Sequence, residues 1–144
     1  MSNVLRIALV DPNDATRESL KAMLLGLDTV WLEADCSRYE FFPDVLEQTT
    51  PDVGVVSLDS NPGQAIELIE RLMTEIPGTA ILAASRDTDG QLILKTMRAG
   101  AREFLTLPVS DGELSGALQR VSHQKFGNLE GGARSSEVIA IAGA

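Results

Sequence analysis

Apolar residues fall in short runs along this chain, and the runs alternate with stretches of helical spacing. Residues 5–10 (LRIALV), 30–34 (VWLEA), 53–58 (VGVVSL), 80–84 (AILAA) and 103–105 (EFL) are each of strand length. Several are continuously apolar rather than alternating, the pattern of strands covered on both faces of a parallel sheet. Between them, Leu20, Met23, Leu24 and Leu27 share one helical stripe. Ile66, Ile69, Leu72, Met73 and Ile76 form another, and Leu114, Ala117, Leu118 and Val121 a third. Five rounds of strand then helix predict a doubly wound α/β fold, a five-stranded parallel sheet with helices on both faces.

Helix starts are legible. Ser37 to Glu40, Thr88 to Gln91 and Ser110 to Glu113 each have the spacing of a capping box, and Asn61 to Gln64 has it with Pro62 at the first helical position. Gly26, Gly78 and Gly100 stand where helices should end. The second helix is carried by Phe41, Phe42, Val45 and Leu46, and Pro43 requires it to begin close to Tyr39.

Beyond Gln124 the character changes. Residues 125–136 (KFGNLEGGARSS) have no apolar period and are rich in glycine and serine, which predicts a flexible linker after a domain spanning 1–124. Residues 137–144 (EVIAIAGA) then return to an apolar, β-branched run with nothing following it. Such a strand either pairs with an edge of the sheet or opens a further domain. The second reading is favoured, because the five-stranded sheet is complete without it.

Composition narrows the function. The chain has 144 residues, 44% of them hydrophobic, enough for one ordinary domain with a real core. With 12 basic against 21 acidic residues the net charge is −9, which argues against a general nucleic-acid or anionic-membrane binder. A single cysteine, Cys36, excludes an internal disulfide, and His123 as the only histidine excludes an imidazole metal cluster. No apolar run approaches the ~18 residues of a membrane span, and the N-terminus lacks a signal-peptide pattern, so a cytoplasmic location is expected.

In a parallel α/β sheet, ligands bind beyond the carboxyl ends of the strands. Those ends carry Asp11-Pro12, Ser57-Leu58-Asp59, Ser85 and Leu107-Pro108. With LVDPNDATR at the start, PDVGVVSLD in the middle, ILAAS, and then RAGAREFLTLPVSDGEL, residues 4–123 resemble the receiver domain of two-component response regulators, a CheY-like, flavodoxin-like fold. The resemblance implies a Mg²⁺ ion held by an acidic pair after the first strand and an aspartate ending the third, which accepts the phosphoryl group. It also implies a Ser or Thr at the fourth strand and a Lys before a proline at the fifth, both contacting the phosphate. Hard cations take carboxylate oxygens, and the transferring charge needs fixed cations.

This sequence departs from that pattern. Asp11 matches the first acid, but Pro12 replaces the second; Ser57 aligns with the phosphoacceptor, Ser85 with the hydroxyl, and Leu107 replaces the lysine. Asp59 shares the strand parity of Ser57, about 6.8 Å further along an extended chain. Leucine at a phosphate-binding position does not suit an anion site. A non-phosphorylated pseudo-receiver is therefore expected, with no cofactor. The alternative is a working receiver phosphorylated on Asp59 in a phosphorelay, with Mg²⁺ on Asp11 and Asp59. Asp14 belongs to the cap region of the first helix.

Other candidates are weaker. His123 reads as a helix-terminal surface residue, Cys36 as a small buried one, and residues 127–132 lack the lysine ending of a phosphate loop. No nucleophile and base pair is visible, so an enzyme is not expected. Lys95, Arg98 and Arg102, with Arg86 nearby, form the one basic run, on a single face of the fourth helix and its exit. A solvated face is the plainer reading; a partner-binding or self-association face is the other, and it coincides with the surface receivers commonly use for dimerisation.

A degenerate receiver followed by SEVIAIAGA also resembles the N-terminal part of TadZ/CpaE-type pilus-assembly proteins. The resemblance implies a ParA/MinD-type ATPase domain whose first strand is residues 137–144, self-association, protein partners, and recruitment to a cell pole. On that reading the receiver-like module does not itself hydrolyse ATP.

Overall fold

A computed structural model describes the backbone of residues 4–138 and side chains as far as Gln124. The elements are β1 (Leu5–Val10), α1 (Asp14–Leu25), β2 (Val30–Cys36), a 3₁₀ turn (Tyr39–Phe41), α2 (Phe42–Thr49) and β3 (Val53–Ser57). They continue with α3 (Pro62–Glu75), β4 (Ala80–Ser85), α4 (Gly90–Ala99), β5 (Glu103–Thr106) and α5 (Asp111–Val138). The strands form one sheet in the order β2-β1-β3-β4-β5, and every pairing is parallel.

Successive residues of the central strands point to opposite faces, and both faces are covered. Leu5, Ile7 and Leu9 pack with Leu20 and Leu24 of α1 and with Leu114, Ala117, Leu118 and Val121 of α5. Ala8 and Val10 face the other way, against Phe42 and Leu46 of α2 and Ala65, Leu68, Ile69 and Leu72 of α3. The doubly wound fold predicted from the strand-helix alternation is the one observed. Gly54 of β3 lets the Phe42 ring approach: a Cβ there would lie 3.4 Å from Phe42 Cε2 and 3.1 Å from Ile81 Cδ1.

The caps match in part. Ser110 and Glu113 form a reciprocal capping box, and Asn61 accepts from the Gln64 amide at 3.1 Å. At α4 the cap is one residue later than expected: Asp89, not Thr88, accepts from the Leu92 amide. Ser37 caps nothing; the chain makes a 3₁₀ turn from Tyr39, and α2 starts at Phe42 with Pro43 in its first turn. Of the predicted terminal glycines only Gly100 has a positive φ, +125°, and there a Cβ would strike Met73 Cγ at 2.2 Å. Gly26 is right-handed, and Gly78 lies beyond the end of α3. α2 is closed instead by Thr50 at φ 43°, with the Arg6 guanidinium donating to the carbonyls of Thr49 and Thr50.

The largest departure is at the C-terminal side. Residues 125–136, expected to be a linker, continue α5, which runs to Val138. Extending a nucleated helix costs less than starting one, and Lys125, Leu129, Glu130, Ala133 and Arg134 are good helix formers between the glycines. Of the strand expected over 137–144, Glu137 and Val138 close this helix, and residues 139–144 lie outside the described residues. Among the described residues no helix is long and apolar enough to cross a membrane.

Candidate functional site

Because the sheet is buried on both faces, polar side chains with chemical reach collect where the strands end. Asp11 follows β1 and is fully buried. Its Oδ1 accepts from the Asn13 amide at 3.0 Å and its Oδ2 from the Thr16 hydroxyl at 2.5 Å. Asn13 in turn accepts from the Thr16 amide. Asp11 thus works inward, as part of the N-terminal cap of α1. Arg17, one turn along α1, donates to the Asp11 carbonyl at 2.9 Å and pairs with Asp14 at 2.7 Å and Asp35 at 3.5 Å. The Asp14 hydrogen bond, aided by the neighbouring carboxylates, holds the Arg17 guanidinium above its ordinary pKa.

Ser57 ends β3 and is buried, and the strand stops there. The extended-chain displacement expected for Asp59 therefore does not apply, because Asp59 sits in the turn beyond the strand. Its carboxylate meets the end of β4. The Ser85 hydroxyl donates to Asp59 Oδ1 at 2.6 Å, and the Arg86 amide lies 3.2 and 3.0 Å from Oδ1 and Oδ2. Leu107 donates its amide to the Ser85 carbonyl at 2.8 Å, while its side chain packs on the core between the sheet, α1 and α5. No cation stands at the position the resemblance gives to lysine.

The structure thus joins Asp59 to Ser85 by a hydrogen bond, while Asp11 is bonded to Asn13 and Thr16 and Leu107 turns toward the core. An open cleft above them is lined by Asn13, Ala15, Thr16, Asp59, Ser60 and Arg86. The donor set does not fit a Mg²⁺ ion. The oxygens of Asp11 and Asp59 already accept hydrogen bonds, Pro12 supplies no carboxylate, and among the described residues no three acidic, histidine or cysteine side chains converge. The Mg²⁺ pair expected at Asp11 and Asp59 under the phosphoacceptor alternative is therefore not supported by this arrangement.

Sequence reasoning missed Tyr39. Its ring is buried, and its hydroxyl donates to the Ser57 carbonyl at 2.6 Å, tying the turn after β2 to the end of β3. Burial pushes the phenol up to about 12, with the nearby Asp11 and Asp59 charges adding and a hydrogen bond from the Asn61 backbone opposing. Nothing local signals a contact across 18 residues. Cys36 is buried with its thiol against the Arg38 carbonyl, and His123 is exposed near Gln124.

Arg86, Lys95, Arg98 and Arg102 are all exposed, and none of the four forms an ion pair among the described residues. Arg102 donates to the Gln124 side chain at 2.8 Å. Interleaved with the α4 cations are Leu94 and Met97, 42% and 39% exposed. The α4 surface is therefore basic and apolar together, and the apolar half was not read from the sequence.

The sequence profile described as "Pilus assembly protein TadZ N-terminal" matches residues 16–138. The chain belongs to that family. No curated protein matches it in sequence. Among solved structures it is similar to a putative pilus assembly-related protein from Burkholderia pseudomallei, with 20% identity, TM-score 0.77, and coverage of 86% of this chain and 93% of that one. It is also similar to a putative pilus assembly protein (CpaE) from Burkholderia thailandensis, with 19% identity, TM-score 0.74 and coverage of 83% and 98%. The receiver domain of the putative response regulator NarL from Mycobacterium tuberculosis gives 15% identity, TM-score 0.75 and coverage of 83% and 98%. At these identities the structural likenesses show the fold, and the fold is that of a receiver. This TadZ N-terminal domain is receiver-like, as its sequence predicted.

The Tyr39 tie gives a pH signature. The folded phenol has a higher pKa than the ordinary 10.0, so its contribution to stability is complete below pH 10 and is lost as pH rises toward 12. Tyr39→Phe should cost about 1–2 kcal/mol at neutral pH, since the Ser57 carbonyl loses its donor. Urea denaturation from pH 8 to 12 checks both points: the wild type should lose its advantage over the variant across pH 10–12, and a constant difference would exclude the role given to Tyr39.

Proposed function

We propose that this TadZ N-terminal domain is a pseudo-receiver: a protein-interaction module that positions a ParA/MinD-type ATPase domain in pilus assembly without being phosphorylated. The observation that carries the reading is the fate of the phosphotransfer positions. Ser57, a poor substitute for a phosphoaccepting carboxylate, is buried at the end of β3; Asp11 is committed to the cap of α1; Leu107 is half-buried and packs against the core. Transfer of a phosphoryl group needs a nucleophilic carboxylate and compensating cations at one point, and neither supports the other here.

A second reading makes Asp59 the phosphoacceptor, and its exposed position beside Ser85 favours it. Against it, both Asp59 oxygens already accept hydrogen bonds, and among the described residues no Mg²⁺ donor set adjoins them. Incubation with acetyl phosphate and Mg²⁺ followed by intact mass measurement separates the two. The pseudo-receiver reading expects no gain of a phosphoryl group; a stoichiometric gain that disappears in Asp59→Asn would establish the second.

Self-association through α4 is the mode of interaction we favour, at a cytoplasmic location and with recruitment to a cell pole. The surface of Leu94 and Met97 supplies apolar area, and Arg86, Lys95 and Arg98 supply charge that an otherwise acidic second copy can meet. The charge reversal Lys95→Glu with Arg98→Glu should weaken a concentration-dependent dimer at least tenfold in sedimentation equilibrium. An unchanged dimer, or a wild type monomeric at all concentrations, would remove α4 from the interface.

A further inference from the structure

The loop from β4 to α4 is organised around one carboxylate. Ser85 is fully buried, and its oxygen accepts from the Asp87 amide at 2.9 Å, which leaves its proton free to point at Asp59 Oδ1, 2.6 Å away. The Arg86 amide donates to the same carboxylate, at 3.0 Å from Oδ2. Asp87 then accepts from the Asp89 amide at 2.9 Å, and Asp89 caps α4 by accepting from the Leu92 amide at 3.2 Å. An unbroken run of hydrogen bonds therefore joins Asp59 to the first turn of α4.

A hydroxyl and a main-chain amide converging on two oxygens of one group make a seat for an oxyanion, and charge-assisted bonds of this kind are the stronger ones. We propose that Asp59 is a tethered anion that occupies this seat permanently, fixing the β4–α4 loop, the backbone of Arg86 and the start of α4 in one arrangement with no covalent modification. Tethering carries the argument. Asp59 is joined to β3 by the single residue Leu58, itself fully buried and hydrogen-bonded through its amide to the Ala84 carbonyl at 2.9 Å. Its effective concentration at the seat therefore exceeds the millimolar level of a short flexible tether, which free phosphate does not displace. The proposal stands on this hydrogen bonding and not on the interaction-module reading, so either can fail alone.

Asp59→Ala tests it. Because the side chain is exposed, the variant should fold. Hydrogen exchange of the Arg86 and Asp87 amides should quicken at least tenfold against wild type, while the β1 amides stay unchanged. Titration with inorganic phosphate should then move the Arg86 amide resonance saturably in Asp59→Ala and leave it fixed in wild type. Asp59→Asn, which keeps one acceptor oxygen and the side-chain shape, should exchange at an intermediate rate, and it serves as the variant of record should the alanine form not fold. Exchange at Arg86 and Asp87 that is unchanged in both variants would overturn the proposal, as would phosphate shifting the wild-type Arg86 amide as strongly as that of the alanine variant.

Discussion

The sheet is covered on both faces, and everything else about this molecule follows from that constraint. Every residue of β3 and β4 is buried, and apolar clusters cover both faces of these strands. A polar side chain within the central strands would be desolvated without partners, so the chain can carry chemistry only where the strands stop. The ends of β1, β3, β4 and β5 carry the candidate site residues Asp11, Ser57, Asp59, Ser85 and Leu107.

What stands there is a set of polar groups that satisfy each other. In a site built to take Mg²⁺ and a phosphoryl group, carboxylates and donors face the solvent and wait for a ligand. Here Asp11 accepts from the Asn13 amide and the Thr16 hydroxyl, Tyr39 bonds the Ser57 carbonyl, Asp59 bonds Ser85 and the Arg86 amide, and Leu107 packs half-buried against the core. No buried side-chain nitrogen or oxygen among the described residues is left without a partner. The strand-end arrangement of a receiver-like fold is retained, and its polar groups are bonded to one another, which is the observation the proposed pseudo-receiver reading rests on.

The fold was legible in the sequence because its signals are local or periodic. Continuous apolar strands, helical stripes and the Ser110 to Glu113 box need only a few neighbouring residues to be read. The site was legible at Asp11, Ser57, Ser85 and Leu107, whose positions follow from where strands end. It was not legible at Tyr39, whose partner is 18 residues away, or at Asp59, where extending β3 by two residues put the carboxylate in the wrong place. For 125–136, composition reports average preference, whereas helix propagation depends on the turn already formed, and the backbone there continues α5. The apolar share of the α4 surface escaped because only packing shows that Leu94 and Met97 are left exposed.

The central claim is that the polar groups at the strand ends have their partners within the chain and do not await a phosphoryl group. Beryllofluoride with Mg²⁺ imitates that group at a receiver's acceptor carboxylate, and the amide spectrum of the unmodified domain reports it directly. The account predicts that the amides of residues 57–61 and 85–87 keep their positions when beryllofluoride and Mg²⁺ are added together. Saturable shifts confined to those amides would contradict it.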